Sequence, residues 1–322
     1  MGKGKPKIVV VAGPTASGKT DLGVFLAKKF HGEVVNADSR QIYREMDIGT
    51  AKPVFSHQPS AISLQGVRHH LFDLARPDKI VTVAEWKRRA VGAIRQILRR
   101  KKLPMVVGGT GLYVQALVEN LNIPAVPPNP QLRARLEKEL KKRGLISLYQ
   151  KLLKLDPQAI GLVQPNNPRR IIRALEVCLT TRQPFTSQRR KGKPLFEVLE
   201  IGLTLPRNKL YRRIDQRVDQ QMKQGWVEET KKLLKKYRRA LPAMSGIGYG
   251  EIAEYLDILS LIRANGSIRE KQKILLDETA QKIEYHTHDY ARRQLAWFRR
   301  DKEIHWVKTK KQAALLVKEF LG

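Results

Sequence analysis

Gly13-Pro14-Thr15-Ala16-Ser17-Gly18-Lys19-Thr20 has the spacing G-x-x-x-x-G-K-T, between an apolar run, Lys7 to Ala12, and a helix-forming run, Asp21 to Phe30. A strand before and a helix after is the context in which this spacing builds a phosphate-binding P-loop. Backbone N–H groups from Thr15 to Thr20 then turn toward an anion, and the helix N-terminus adds partial positive charge. Lys19 would reach phosphate oxygens, and Thr20 would offer its hydroxyl to Mg²⁺. The spacing points to a di- or triphosphate and does not say which. Asp38 opens Asp38-Ser39-Arg40-Gln41-Ile42-Tyr43, directly after a second apolar run, Glu33 to Ala37. Ligands of doubly wound α/β folds lie at the carboxyl ends of strands, so a carboxylate there would face the phosphate loop. A turn aspartate is the plain alternative. A motor or switch NTPase also needs an acid at a strand end, whereas Pro104 to Val107 runs into Gly108-Gly109-Thr110. Two chemistries stay open, a small-molecule kinase and a transferase with diphosphate as leaving group; a nucleotide-switched nucleic-acid binder is the non-enzymatic rival, and the missing acid speaks against it.

The elements around these residues predict an α/β fold. Continuous apolar runs such as Lys7 to Ala12 are typical of parallel strands covered on both faces. Thr82-Val83-Ala84-Glu85 is a capping box that opens a helix to about Lys101, and Pro104 to Val107 is a further strand. Asn122 to Pro130 holds four prolines in nine residues and marks a linker or domain edge. From Gln131 to about Thr186 the pattern is helical, and residues 131–200 carry 16 Lys and Arg against 6 Asp and Glu. Glu197 to Leu205 resembles a returning strand. Two or more helices follow, over Lys209 to Tyr237 and about Ile268 to Arg300, and then a short strand, Ile304 to Val307. The expected architecture is a P-loop NTPase-like parallel sheet split by a basic all-helical insertion. Its divisions are 1–121 for the first part of the core, 122–200 for the insertion, and 201–322 for core completion with C-terminal helices.

The 322 residues include 62 Lys and Arg against 30 Asp and Glu, a formal net charge of +32. Such an excess implies a polyanionic partner. No run approaches the ~20 apolar residues of a membrane span, and Ile8 to Ala12 is too short for a signal-peptide core. The expected compartment is the cytoplasm, with no membrane partner. Cys178 is the sole cysteine, which excludes an internal disulfide and a cysteine-based zinc cluster; it is expected to be a buried thiol.

Several blocks together resemble the tRNA dimethylallyltransferase family (IPP transferases): Gly13 to Thr20, Asp38 to Tyr43, Met46 to Pro53, His69 to Asp73 and Gly108 to Tyr113. Asn166 to Glu176, Gly248-Tyr249 and Ala291 to Arg299 continue the series in the family's order, from residue 13 to about 300. The resemblance implies transfer of the dimethylallyl group from dimethylallyl diphosphate to the exocyclic amine of the adenosine 3′-adjacent to the anticodon of tRNA. It implies that Asp38 is the base, that Thr110 orients the amine, and that Lys19, a Thr20-bound Mg²⁺ and Arg217 hold the leaving diphosphate. The target base must leave its stack to be reached. By the same resemblance Asp38, Ser39, Arg40, Gln41 and Thr110 meet the tRNA anticodon stem-loop. So do Arg169, Arg170, Ile171, Ile172 and Arg173, the segment Ser245, Gly246, Ile247, Gly248, Tyr249 and Gly250, and Arg292, Arg293, Gln294 and Arg299. Asn167 stands where the family often has Asp, and Gly250 where Arg is common. Trp297 and Phe298 are expected in the core, His286 and His288 as solvated side chains, and Ile268 to Tyr285 as an extended structural helix. A monomer is expected, and whether ATP also enters the loop stays open.

Overall fold

The computed structural model describes residues 4–58, 61–123, 126–188, 190–263 and 269–322. In chain order the elements are β1 (Lys7–Ala12), α1 (Lys19–Lys29), β2 (Gly32–Asn36), β3 (Ser56–Gln58), β4 (Ala61–Leu64), β5 (Val67–His70) and α2 (Val83–Arg99). Then come β6 (Leu103–Gly108), α3 (Gly111–Val118), α4 (Pro130–Leu155), α5 (Pro168–Thr181), β7 (Glu197–Leu203) and α6 (Arg207–Lys223). The chain ends with α7 (Trp226–Lys236), α8 (Tyr249–Arg263), α9 (Arg269–Phe298), β8 (His305–Val307) and α10 (Lys310–Leu321).

Among the described residues eight strands form one sheet in the order β3-β4-β5-β2-β6-β1-β7-β8. The run from β5 to β8 is parallel, as the apolar strand patterns predicted, with Val9 opposite Met105 and Val11 opposite Ile201. At the other edge β3, β4 and β5 form an antiparallel meander that the sequence reading did not include. Its strands are three or four residues long, too short for a periodicity to register. Val9, Val11, Leu22, Leu26, Met105, Ile201 and Val317 lie in one buried cluster joining the sheet to α1 and α10. The order β2-β6-β1 sets the carboxyl ends of three strands side by side, and these deliver the P-loop, Asp38 and Gly108-Gly109-Thr110.

The chain divides into two compact units, the first ending at Val114 and resuming at Leu195, the second spanning Gln115–Pro194. The expected insertion, 122–200, covers most of this second unit. β7 pairs with β1 from Glu197 onward, which assigns residues 195–200 to the core. Leu121 bridges to Lys191, so the neck of the insertion precedes the proline-rich stretch. Of that stretch Pro124 and Ala125 lie outside the described residues, as do Met1 to Lys3 of the basic N-terminus and Ile268, where the last long helix was expected to begin.

The second unit is helical, as predicted. Leu136, Leu148, Leu152, Ile171, Leu175 and Cys178 form its core, which accounts for the buried thiol. Asn167 caps α5 by accepting the Arg170 N–H at 3.1 Å, a task Asn and Asp perform equally. No helix among the described residues is long and apolar enough to cross a membrane.

Candidate active site

The P-loop leaves β1 at Gly13 and enters α1 at Lys19, with Ala16 (φ 59°) and Gly18 (φ 94°) in left-handed conformations. The first amides of α1 lack intrahelical acceptors, while the Ser17 N–H turns back onto Pro14 O at 3.4 Å. The Lys19 ammonium lies within the cavity that results, where its Nζ donates to Pro14 O at 2.5 Å. Burial lowers its pKa to about 8; Asp38 opposes the shift and Arg217 adds to it. Arg217 projects from α6 into the same cavity, and burial pulls it below its ordinary value against the attraction of Asp21 and Asp38. Thr20 and Asp21 line the cavity as well. Thr15 behaves differently from expectation. Its N–H donates to Gln294 Oε1 at 2.8 Å and is therefore engaged within the protein.

Asp38 is held by its own turn. Its N–H donates to Asn36 Oδ1 at 3.0 Å, and its Oδ1 accepts from the Arg40 N–H at 2.8 Å. The turn engages Oδ1, and a carboxylate can accept several hydrogen bonds, so the turn role does not exhaust this side chain. Asp38 lies in the wall shared by two adjoining cavities. One is the P-loop cavity. The other is lined by Ser39, Arg40, Gly246, Ile247, Tyr249 and Arg293, residues that the sequence reading set at the RNA surface. Thr15, Thr50, Ala51, Arg217 and Tyr290 also belong to both.

Thr110 lies beside Asp38 in the chain fold, but its hydroxyl is occupied: Oγ1 accepts the Ser39 N–H at 2.9 Å and donates to Ser39 Oγ at 3.3 Å. It fixes the loop that carries Asp38. Arg40 donates to Pro242 O at 2.7 Å and reaches Ser245 Oγ at 3.3 Å, which pins the 242–245 turn. Gln41 donates to Thr50 O at 3.0 Å and Ala51 O at 3.1 Å, so it supports the Ile48-Gly49-Thr50-Ala51 segment.

Two residues of this site escaped the sequence reading. The Glu229 carboxylate accepts the N–H groups of Asp47, Ile48 and Gly49 at 2.9, 2.8 and 3.0 Å, and the Tyr249 hydroxyl at 2.8 Å. Tyr290 borders both cavities; burial, reinforced by Asp38, raises its pKa and keeps the phenol protonated. Glu229 carries no local signal among the many charges of α7. Tyr290 is legible only as part of the helical stripe Tyr290, Gln294, Trp297.

Several residues expected at the RNA surface lie elsewhere. Gln294 is 6% exposed and bound to backbone, so it does not face a tRNA. Ile171 and Ile172 belong to the core of the helical unit, and Tyr249 is 1% exposed, reaching only the inner wall of the second cavity. Arg173 donates to the buried Glu176 at 2.6 Å and to Val126 O at 2.9 Å, the first ionic contact being shared with Arg133. Arg169, Arg292, Arg293 and Arg299 are exposed. His286 is exposed, as expected, and meets Glu251 at 2.5 Å, whereas His288 is largely covered, stacking on Tyr211 at 3.9 Å and bonding Asp215 at 2.7 Å. Phe298 is buried as predicted, and Trp297 is half-buried against Gly111.

The family model described as IPP transferase matches residues 41–301. A tRNA dimethylallyltransferase of Thermomicrobium roseum is 44% identical over 307 residues, covering 95% of this chain and 87% of that one. Another, of Gloeobacter violaceus, is 43% identical over 301 residues, covering 94% and 92%. The crystal structure of the full-length tRNA isopentenylpyrophosphate transferase from Bacillus halodurans matches with a TM-score of 0.66 at 36% identity, covering 98% of this chain and 96% of that one. With its P-loop, its acid-bearing second loop and its sheet order already in place, the chain belongs to the IPP transferase family.

Proposed function

We propose that this chain transfers the dimethylallyl group of dimethylallyl diphosphate to the exocyclic N6 amine of the adenosine 3′-adjacent to the anticodon of tRNA. The observation that carries the reading is the position of Asp38 in the wall between two cavities, one lined by the P-loop and the other by the 245–250 segment and Arg293. The names of the relatives support the substrate class.

In this reading the diphosphate occupies the P-loop cavity. Lys19 and Arg217 lie against its oxygens, with the amides at the start of α1. The adenine enters the second cavity, past Ser39, Gly246 and Arg293. Its amine lone pair is delocalised into the ring and attacks weakly. Asp38 accepts the amine proton as the N6–C1 bond forms, while the C1–O bond breaks and its electron pair leaves with the diphosphate. Proton transfer of this kind contributes about 10²–10⁴-fold. The cations and amides are aimed where charge develops, so they act on the transition state.

The Thr20 hydroxyl and Asp21 carboxylate beside the loop fit a hard cation that takes oxygen ligands and shares them with substrate phosphates. When bound, Mg²⁺ would supply charge neutralisation of the leaving diphosphate.

Incubation of the chain with radiolabelled dimethylallyl diphosphate and unmodified tRNA should label the tRNA. In parallel, γ-labelled ATP should label nothing. Label transfer from ATP to a small acceptor, with none from the prenyl donor, would replace this reading with a kinase.

A further inference from the structure

The face of α9 that meets the sheet ends carries Tyr290, Gln294 and Trp297, spaced i, i+4 and i+7. Gln294 Oε1 accepts the Thr15 N–H at 2.8 Å, and its Nε2 donates to Gly109 O at 2.8 Å. One buried amide therefore ties the P-loop to the loop after β6. Both partners dictate its orientation, since an N–H requires the oxygen and a carbonyl requires the nitrogen. The glycines are shaped to this contact. A Cβ on Gly109 would lie 2.4 Å from Gln294 Nε2, and one on Gly111 would lie 2.3 Å from Trp297 Cδ1. Gly109-Thr110-Gly111 is thus a seat for two α9 side chains three residues apart, and not a second phosphate loop.

We propose that Gln294 is a positioning residue of the diphosphate cradle, acting through Thr15. It reaches the anion by way of the loop it holds. Thr15 neighbours Pro14, whose carbonyl accepts from Lys19 Nζ, so a shift of the Pro14-Thr15 peptide carries the ammonium with it. Without Oε1 the Thr15 N–H must turn toward another acceptor. The inference rests on the P-loop cavity being the diphosphate site, as in the proposed function.

The test uses the full chain, as wild type, Gln294→Leu and Gln294→Glu. Inorganic pyrophosphate with Mg²⁺ is titrated calorimetrically, and tRNA affinity and KM for dimethylallyl diphosphate are measured beside it. Gln294→Leu should raise the pyrophosphate Kd and the prenyl-donor KM about tenfold, since a loop displaced by ~1 Å can cost up to 10²-fold, while tRNA affinity stays within about twofold. The Gln294→Glu carboxylate repels the Gly109 carbonyl, but its protonated form both donates and accepts. Its defect relative to wild type should therefore shrink as the pH is lowered from about 8 to about 6. An unchanged pyrophosphate Kd in Gln294→Leu, an equal loss of tRNA affinity, or a Gln294→Glu defect indifferent to pH overturns the proposal. Should the Leu variant not fold, the Glu variant carries the test. Pyrophosphate binding is read without turnover, so a wild type that binds it and transfers no prenyl group refutes the proposed function and not this inference.

Discussion

Asp38 closes its own turn and is the proposed base, and the two roles can be separated. Its Oδ1 closes the turn with the Arg40 N–H, and Asn retains that acceptor while losing the basicity. Asp38→Asn should therefore lower turnover by about 10²–10⁴-fold with tRNA affinity within a few-fold. Near-normal turnover in a single-turnover assay removes Asp38 from its role. Lys19 makes a second prediction. Because burial, against the pull of Asp38, brings its pKa to about 8, the ammonium is present below that pH and lost above it. Pyrophosphate affinity of the free chain should be level below about pH 8 and should weaken above it, an inflection absent from Lys19→Met. The P-loop was legible because its partners are neighbours in the chain. The duties of Thr110 and Gln294 were not, since each acts on a residue 71 or more positions away.

At the scale of elements, α9 and α5 differ from what their charge patterns suggest. α9 docks through the Gly109 and Gly111 seats. A methyl group at residue 111 meets the Trp297 ring at 2.3 Å, and overpacking of this kind costs about 1–3 kcal/mol. Gly111→Ala should lower the urea midpoint accordingly; an unchanged midpoint means that α9 can shift freely. In α5 the arginines divide between two tasks. Arg173, together with Arg133 of α4, neutralises the fully buried Glu176, which also accepts the Asn129 N–H at 2.7 Å. Removing one partner of a buried carboxylate costs about 3 kcal/mol, so Arg173→Ala should destabilise the helical unit. Arg169 is exposed, and Arg169→Ala should leave stability intact while reducing the salt slope of tRNA binding by about 1. The reverse pattern exchanges the two roles. Helical periodicity revealed that α5 exists. It carried no information on Glu176 lying beneath the arginines.

For the whole molecule the charge of +32 predicts a steep fall of tRNA affinity with salt, as counterions released from phosphates are recaptured. Glu33 ties the stability of the fold to pH. Burial pushes the Glu33 carboxyl up, but hydrogen bonds from Arg100, His70 and Lys102 prevail and hold it down to about 2. The folded pKa lies below the unfolded one, so this stabilisation is complete above the unfolded carboxylate range and fades as the pH falls toward 2. Glu33→Gln should lose roughly 3 kcal/mol near neutrality and show a shallower acid transition. An unchanged transition in an acid titration followed by circular dichroism removes Glu33 as its source. By itself the sequence determined the parallel α/β core, the P-loop, the acid after β2, the helical insertion and the family. Each of these is written in residue types at short or regular spacing, where backbone geometry follows from near neighbours. The tertiary structure alone decided the strand order that brings Gly13, Asp38 and Gly109 together, the antiparallel edge, and the burial of Gln294, Ile171, Ile172 and Arg173's carboxylate partner. Those outcomes depend on which surfaces meet across long stretches of chain, and a side chain facing a glycine 185 residues away leaves no mark on its own neighbourhood.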